Sequence, residues 1–365
     1  MLLSEQPLPV EVRPRFQELR VVGRLAADLA AVRRLLVRVP NWVGDAVMSL
    51  PVLTGLGQFF PQARLTVLAA PRVAPLFVAQ PGVADIVPYP TGPEKWGVLW
   101  GLKGRFDLAL ALPNSFESAL GLWLAGVPSR VGYNADARRL FLTVAVNGRQ
   151  KLAGLHTVYY YLGLLKVFGE VAAFTPPTLS LKEEEVVAAQ EILAARPGPT
   201  SGPWVGLSPG AAYGPAKRWP PERFAALAQA LIDDFGARLI LLGGPEDREV
   251  AAQVKEHLAQ PVLDLVGRTD LRQALGVLAH LKLLITNDSG LMHAAAALGV
   301  PLVALFGSTD PRATGPFTSR ATVLYHPLPC SPCLKRTCAE GYPCLTAITV
   351  AEVLAAARHW LTEST

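Results

Sequence analysis

The segment Thr286-Asn287-Asp288-Ser289-Gly290-Leu291-Met292-His293 stands between an apolar run at residues 281–285 and an alanine-rich run at residues 294–297. A strand that ends in Asn-Asp-Ser-Gly and turns straight into a helix presents unpaired backbone N–H groups and the positive end of a helix dipole, an arrangement that suits a phosphate. His293 follows Ser289 by about one helical turn, so its ring reaches the same crevice. These residues point to a nucleotide site. An ordinary N-cap at Asp288 or Ser289 with a partly buried imidazole behind it is the other reading of the same segment, which alone leaves both open.

Two more loops have a similar form. Arg38-Val39-Pro40-Asn41-Trp42-Val43-Gly44-Asp45 runs from a strand through a Gly-containing turn to a carboxylate at a helix start. That is the carboxyl edge of a sheet, where open α/β folds bind ligands, so Asp45 is a candidate general base or, on position alone, a plain N-cap. Gly206-Leu207-Ser208-Pro209-Gly210-Ala211-Ala212-Tyr213-Gly214-Pro215-Ala216-Lys217-Arg218-Trp219-Pro220 follows a second strand with small residues that let backbone approach a ligand. Lys217 then supplies a point charge suited to phosphate.

Elements that alternate must position these loops. Short Leu-rich or β-branched runs at 35–39, 64–69, 85–87, 107–112, 204–207, 238–242, 262–266, 281–285 and 302–306 are separated by helical stretches. This is the pattern of parallel βαβ units with buried sheets. A breaker-rich linker at 196–203 divides the 365 residues into two halves, each long enough for its own core. The expected organisation is a helical N-terminal extension at 1–33, a first Rossmann-like domain at 34–196, a second at 197–346, and a helix at 347–365 that crosses back to the first. Neither Gly-x-Gly-x-x-Gly nor a Walker-type phosphate loop is present, which removes local support for a dinucleotide dehydrogenase or a P-loop NTPase.

Hydrophobic residues make up 51% of the chain, yet no run reaches the length of a membrane span. The first five residues lack the basic region and apolar core of a secretory signal, which points to the cytoplasm. The net charge of +5 is diffuse and no base-reading module occurs, so a nucleic-acid partner is not expected. Basic residues gather at 13–34 and, interleaved with Trp96 and Trp100, at 95–105. The second cluster suits an anionic membrane surface, with a solvated helix face as the alternative.

Gly44-Asp45 followed by Pro51, the 209–220 segment and Asn287 to His293, taken together and in this order, resemble the lipopolysaccharide heptosyltransferases of glycosyltransferase family 9, closest to the heptosyltransferase II type. Leu112-Pro113-Asn114-Ser115-Phe116, Arg130-Val131-Gly132-Tyr133, Leu305 to Pro311 and the final Cys cluster are also similar to that family. The resemblance implies an α/β GT-B fold of two doubly wound Rossmann-like domains facing across a cleft. It further implies inverting transfer of heptose from ADP-heptose to a lipid-anchored core saccharide, at the inner face of the cytoplasmic membrane and with no cofactor required. On that basis Asp45 is the base and Lys217 the cation on the leaving diphosphate. Gly210, Ala211, Asp288, Ser289, Gly290 and His293 frame the nucleotide-sugar, and Gly243 and Gly244 lie near adenosine. Glu246 is the candidate partner of a ribose hydroxyl, with Asp247 an equally placed carboxylate. Asn114, Ser115, Arg130 and Tyr133 fall on the acceptor side. A related transferase using another nucleotide-sugar for a different surface glycan, or a non-catalytic nucleotide-sugar-binding protein, is the alternative reading.

Cys330, Cys333, Cys338 and Cys344 include one Cys-x-x-Cys pair, and the spacing allows a structural metal, reduced thiols or disulfides. No Asp-x-Asp pair is present to hold Mg²⁺ against a diphosphate, which also points to metal-independent transfer.

Overall fold

The computed structural model describes residues 5–26, 28–194 and 201–363. The expectations for the start of the chain and for most of the 196–203 linker fall outside the described residues. Two compact units form, Met1–Ser180 and Leu181–Thr365.

The first unit contains β1 (Gln6–Pro7), β2 (Arg20–Gly23), β3 (Arg34–Arg38), β4 (Arg64–Ala69), β5 (Val83–Pro88), β6 (Leu108–Ala111), β7 (Ser129–Tyr133), β8 (Val144–Asn147) and β9 (Ala173–Phe174). Seven of them make one sheet in the order β2-β8-β7-β6-β3-β4-β5, parallel apart from β2, which runs antiparallel to β8. Strand β6 and the apolar core of β3 are fully buried, as a parallel sheet covered on both faces requires. From β3 the chain winds outward to β5, then returns to β6 on the other side. This puts the topological switch point between β3 and β6.

The described residues of the segment 1–33, expected to be a helical extension, are instead woven into this unit. Strand β2 covers the otherwise open edge of β8, and β1 pairs with β9. Only a short helix, Val12–Gln17, lies between them, burying Val12 and Phe16 one turn apart. The Lys166 ammonium closes its C-terminal end by donating to the carbonyls of Phe16 (2.5 Å), Gln17 (2.8 Å) and Leu19 (2.7 Å).

The second unit carries β10 (Trp204–Ser208), β11 (Arg238–Leu241), β12 (Leu263–Asp264), β13 (Leu283–Asn287), β14 (Leu302–Phe306) and β15 (Ala321–Tyr325), all parallel in the order β12-β11-β10-β13-β14-β15. Its switch point lies between β10 and β13. The crossover helix Pro221–Phe235 starts with proline at its first position, where no N–H is needed. It buries Phe224, Leu227, Ala228 and Leu231 along one stripe and stops at Gly236, whose positive φ of 59° only glycine adopts without strain.

Two expected boundaries are corrected. Helix Glu183–Ala194, assigned above to the first domain, packs on Leu271–Ala279 in the second: Arg272 Nε donates to Glu185 Oε1 at 2.6 Å, and the helices approach where Gly276 faces Ala189. The division therefore falls near residue 180. Helix Val350–Thr362, expected to cross back, buries Val353, Ala357 and Trp360 in the core of the second unit against Pro221–Phe235. Its apolar stripe at i, i+4 and i+7 finds a complementary face there.

Trp219 ties these layers together. Its indole is fully buried, stands edge-on to Phe224 at 5.0 Å and donates Nε1–H to the Ile348 carbonyl at 3.0 Å. Replacing it by alanine removes a large core side chain and one of the two donors on that carbonyl, which Arg223 Nη1 also meets at 2.5 Å, so Trp219→Ala should destabilise the second unit by about 3–5 kcal/mol in denaturant unfolding, chiefly through the lost packing. A loss below about 1 kcal/mol would contradict this packing role.

Candidate functional site

The second unit gathers its polar residues at the carboxyl edge of β10 and β13. Asn287, wholly buried at the end of β13, donates Nδ2–H to the Pro209 carbonyl at 2.7 Å and accepts the Trp219 backbone N–H at 3.0 Å on Oδ1. The loop after β10 is thereby drawn against β13. Lys217, carried by that loop, brings its ammonium to 2.5 Å from Asp288 Oδ2, and Thr309 Oγ1 donates to the same oxygen at 2.6 Å. Asp288 is almost completely buried. With two donors on one oxygen it fixes the cation in place and is itself an acceptor, not a phosphate ligand.

Ser289 occupies the N-cap position of the helix Gly290–Ala297, but its side chain accepts no helix N–H: its hydroxyl lies 3.2 Å from Thr286 Oγ1, while Asp288 is engaged with Lys217 and Thr309. The first N–H groups of the helix, from Gly290 onward, have no intrahelical partner and point out of the same edge. His293 is buried in the first turns.

Of the paired carboxylates after β11, the structure separates the roles. Asp247 is buried, accepts the Gly244 N–H at 3.0 Å and is boxed in so closely that a Cβ at Gly210 would come within 2.0 Å of its carboxyl carbon. Burial pushes its pKa up. Gly210 and Gly243 are thus required by Asp247, and Ala211 is buried with its carbonyl accepting Arg218 Nη2–H at 3.2 Å. Glu246, in contrast, is exposed.

In the first unit Asp45 occupies the third position of the helix Val43–Met48, whose N-cap is Trp42, so the plain N-cap reading of Asp45 is overturned. Asp45 Oδ1 accepts the hydroxyl of Tyr161 at 3.1 Å. Tyr161 is enclosed, and burial together with the facing carboxylate pushes its pKa well up, keeping the proton on the phenol. Across the switch point, Asn114 follows β6; its Nδ2 donates to Tyr160 Oη at 2.5 Å and its Oδ1 accepts from Arg138 at 3.2 Å. The helix Thr157–Leu162 therefore serves both edges, with Tyr161 on Asp45 and Tyr160 on Asn114.

The other acceptor-side expectations resolve into structural roles. Ser115 is the N-cap of Phe116–Leu124, accepting the Ser118 N–H at 3.3 Å. Tyr133 is fully buried and donates to the Tyr160 carbonyl at 2.6 Å, so it supports Tyr160 from below. Arg130 lies toward the start of β7, at the end of the sheet away from Asn114, where its Nε donates to the Phe141 carbonyl at 2.6 Å. It is not brought to the site. Residues that the sequence did not single out are Tyr160, Tyr161 and Arg138, while Thr309 falls within the 305–311 segment without a role assigned to it. The guanidinium of Arg138 is fully enclosed, bonds the carbonyls of Pro113 and Tyr133, and has its pKa pulled down to about 10 by burial. Nothing in its local sequence marks it, since its partners are 5 to 25 residues away.

The four cysteines are free thiols, and among the described residues no group of three or more His, Cys, Asp or Glu is disposed to hold a metal ion. Their loop instead braces the one carrying Lys217: Ala216 donates its N–H to the Arg336 carbonyl at 3.1 Å, Arg336 Nε donates to the Tyr213 carbonyl at 2.9 Å, and the Tyr213 hydroxyl donates to the Leu334 carbonyl at 2.6 Å. The Tyr213 ring then lies 5.0 Å from the Lys217 ammonium.

The model of glycosyltransferase family 9 (heptosyltransferase) matches residues 99–342. Lipopolysaccharide heptosyltransferase 2 of Escherichia coli K12 is 35% identical over 328 residues, 85% of this chain and 92% of that protein. Lipooligosaccharide heptosyltransferase 2 of Haemophilus ducreyi is 33% identical over 80% of this chain and 88% of its own. The structure of E. coli ADP-heptose lipopolysaccharide heptosyltransferase II superposes with a TM-score of 0.76 at 32% identity, covering 90% of this chain and 98% of that one. A family 9 glycosyltransferase from Veillonella parvula gives 0.80 at 25% identity, over 93% of this chain and 100% of its own. Two doubly wound units with polar edges at their switch points, this match to the family model and these identities together establish that the chain belongs to glycosyltransferase family 9, the heptosyltransferases, with their GT-B fold.

Proposed function

We propose that the protein is an inverting transferase that moves heptose from ADP-heptose to a lipid-anchored saccharide of the lipopolysaccharide core, at the cytoplasmic face of the inner membrane. The observation that carries this reading is the Lys217 ammonium, held 2.5 Å from Asp288 beside a helix N-terminus at the second sheet's switch point. Supporting it is 35% identity to a lipopolysaccharide heptosyltransferase 2. No helix among the described residues is long and apolar enough to cross a membrane, so the lipid-anchored acceptor is met at the bilayer surface, where the segment at 95–105 is the proposed contact.

In this reading Asp45 takes the proton from the acceptor hydroxyl, whose oxygen attacks the anomeric carbon as the bond to the β-phosphate oxygen of ADP breaks. Attack and departure on opposite sides of the sugar invert the anomeric configuration. Negative charge builds on the leaving diphosphate, and Lys217 with the N–H groups from Gly290 onward meets that charge more strongly in the transition state than in the ground state. Tyr161 orients the Asp45 carboxylate by donating to its Oδ1. His293 frames the sugar, and Glu246 takes a ribose hydroxyl. No metal is needed when a cation and a helix dipole already face the diphosphate.

Asp45→Ala should lower kcat by about 10²- to 10⁴-fold while leaving ADP affinity unchanged, because the base acts on the acceptor. Calorimetric titration showing a matching loss of ADP binding would move Asp45 into a structural role. Lys217→Ala should weaken ADP binding and turnover together; wild-type rates in that variant would refute its assignment. EDTA is expected to leave the rate intact, and activity lost in EDTA but restored by Mg²⁺ or Mn²⁺ would overturn the metal-free mechanism.

A further inference from the structure

The first unit presents an apolar surface that the transfer chemistry does not use. Helices Glu94–Gly101 and Phe116–Leu124 pack side by side through Leu99 and Leu122. Their outer faces are aromatic: Trp96 and Trp100 are 45% and 73% exposed, Phe116 and Trp123 45% and 49%, and Leu140, on the adjoining turn Arg138–Phe141, is 85% exposed. The Phe141 ring joins Phe116 at 5.1 Å and Trp123 at 5.7 Å, making these residues one patch with Leu140 beside it. At the far end of the second helix, Gly126 approaches the Lys103 stem so closely that a Cβ would lie 3.3 Å from its Cγ, and the Lys103 ammonium sits 4.8 Å from the Trp100 ring. The two helices thus share an edge. Single exposed apolar residues need no explanation, but five on adjoining elements do.

Charge identifies what covers them. Residues 1–180 hold 18 Lys and Arg against 11 Asp and Glu, a net +7, which leaves −2 for residues 181–365 of the +5 total. Within the patch, Glu117 is neutralised by Lys95 at 3.0 Å, Lys103 and Arg105 remain, and Glu94 is the acidic residue opposed to them. Tryptophans paired with lysine on a cationic unit match the headgroup layer of an anionic bilayer, where an aromatic ring buries its apolar body and the ammonium meets phosphate.

We infer that the helices Glu94–Gly101 and Phe116–Leu124 and the turn Arg138–Phe141 form one docking footprint for an anionic membrane, in which Phe116, Trp123 and Leu140 insert alongside Trp96 and Trp100. This rests on the proposed lipid-anchored acceptor and extends the contact beyond the 95–105 segment to a second helix and a turn. The test is co-sedimentation of the full chain with mixed phosphatidylglycerol–phosphatidylcholine vesicles and with pure phosphatidylcholine vesicles, at low and high salt. Trp123→Ser/Leu140→Ser should lower partition onto the anionic vesicles by about tenfold or more, comparably to Trp96→Ser/Trp100→Ser. Leu140→Ser alone, at a turn tip outside any core, should lower it severalfold with unchanged ADP binding, which separates docking from misfolding. Salt should release the wild type.

Wild-type binding by Trp123→Ser/Leu140→Ser and by Leu140→Ser, with loss confined to Trp96→Ser/Trp100→Ser, would overturn the extended footprint while leaving the acceptor reading intact. Equal binding to neutral vesicles would overturn the anionic preference. Absence of vesicle binding by the wild type would overturn the footprint and the membrane contact together. Self-association in sedimentation equilibrium that Leu140→Ser abolishes would assign the patch to a second copy of the chain instead.

Discussion

One buried amide governs the second unit's ligand edge. Asn287 has no access to water, so its carboxamide must find its partners inside the protein, and it does so on the loop after β10. That requirement pulls the backbone from Pro209 to Trp219 against the end of β13, which in turn brings Lys217 to Asp288. The small residues of this loop then make sense physically: any side chain at Gly210 would collide with the Asp247 carboxylate beneath it. Trp219 completes the constraint, since the residue whose backbone is held by Asn287 also anchors its indole on the C-terminal segment at Ile348.

The first unit solves the same problem with buried cations. Arg38, at the end of β3, and Arg138, beside the end of β6, are both enclosed, and burial pulls each pKa down to about 10, still charged at neutral pH. Arg38 lies over the Tyr89 ring at 4.7 Å and donates to Asn41 Oδ1 at 2.7 Å, shaping the loop that precedes Asp45. Arg138 bonds the Pro113 carbonyl and Asn114. Removing such a charge would strip donors from backbone carbonyls in the loops on either side of the switch point, so the guanidinium groups act as internal splints for them.

The two edges differ in the chemistry they offer. One holds a lysine and helix N–H groups, suited to an anion that gains charge. The other holds a carboxylate steadied by a buried phenol, suited to accepting a proton. A cysteine-bearing loop that spacing alone likens to a metal knuckle serves as a brace for the lysine loop through Tyr213 and Arg336. The thiols are incidental to that contact, which is made by backbone carbonyls, an aromatic ring and a guanidinium.

Local sequence located nine of the fifteen strands among the described residues, β3 to β6 and β10 to β14, with the βαβ alternation and the three loops of Asp45, Lys217 and Asp288, because period, turn chemistry and the strand-to-helix transition are short-range properties. It also sufficed for the family, whose motifs are contiguous. Only the tertiary structure decided which neighbouring residues turn outward or inward at the polar edges: Glu246 outward and Asp247 inward, Asn114 at the switch point, Tyr133 beneath it and Arg130 at the far end of its strand. It also decided that residues 6–23 complete the first unit and that the final helix belongs to the second, since edge pairing and stripe complementarity depend on surfaces distant in the chain. Tyr161 illustrates the division most plainly. It lies 116 residues from Asp45, and no periodicity or spacing connects a phenol to a carboxylate across that distance until the sheet and its helices have packed.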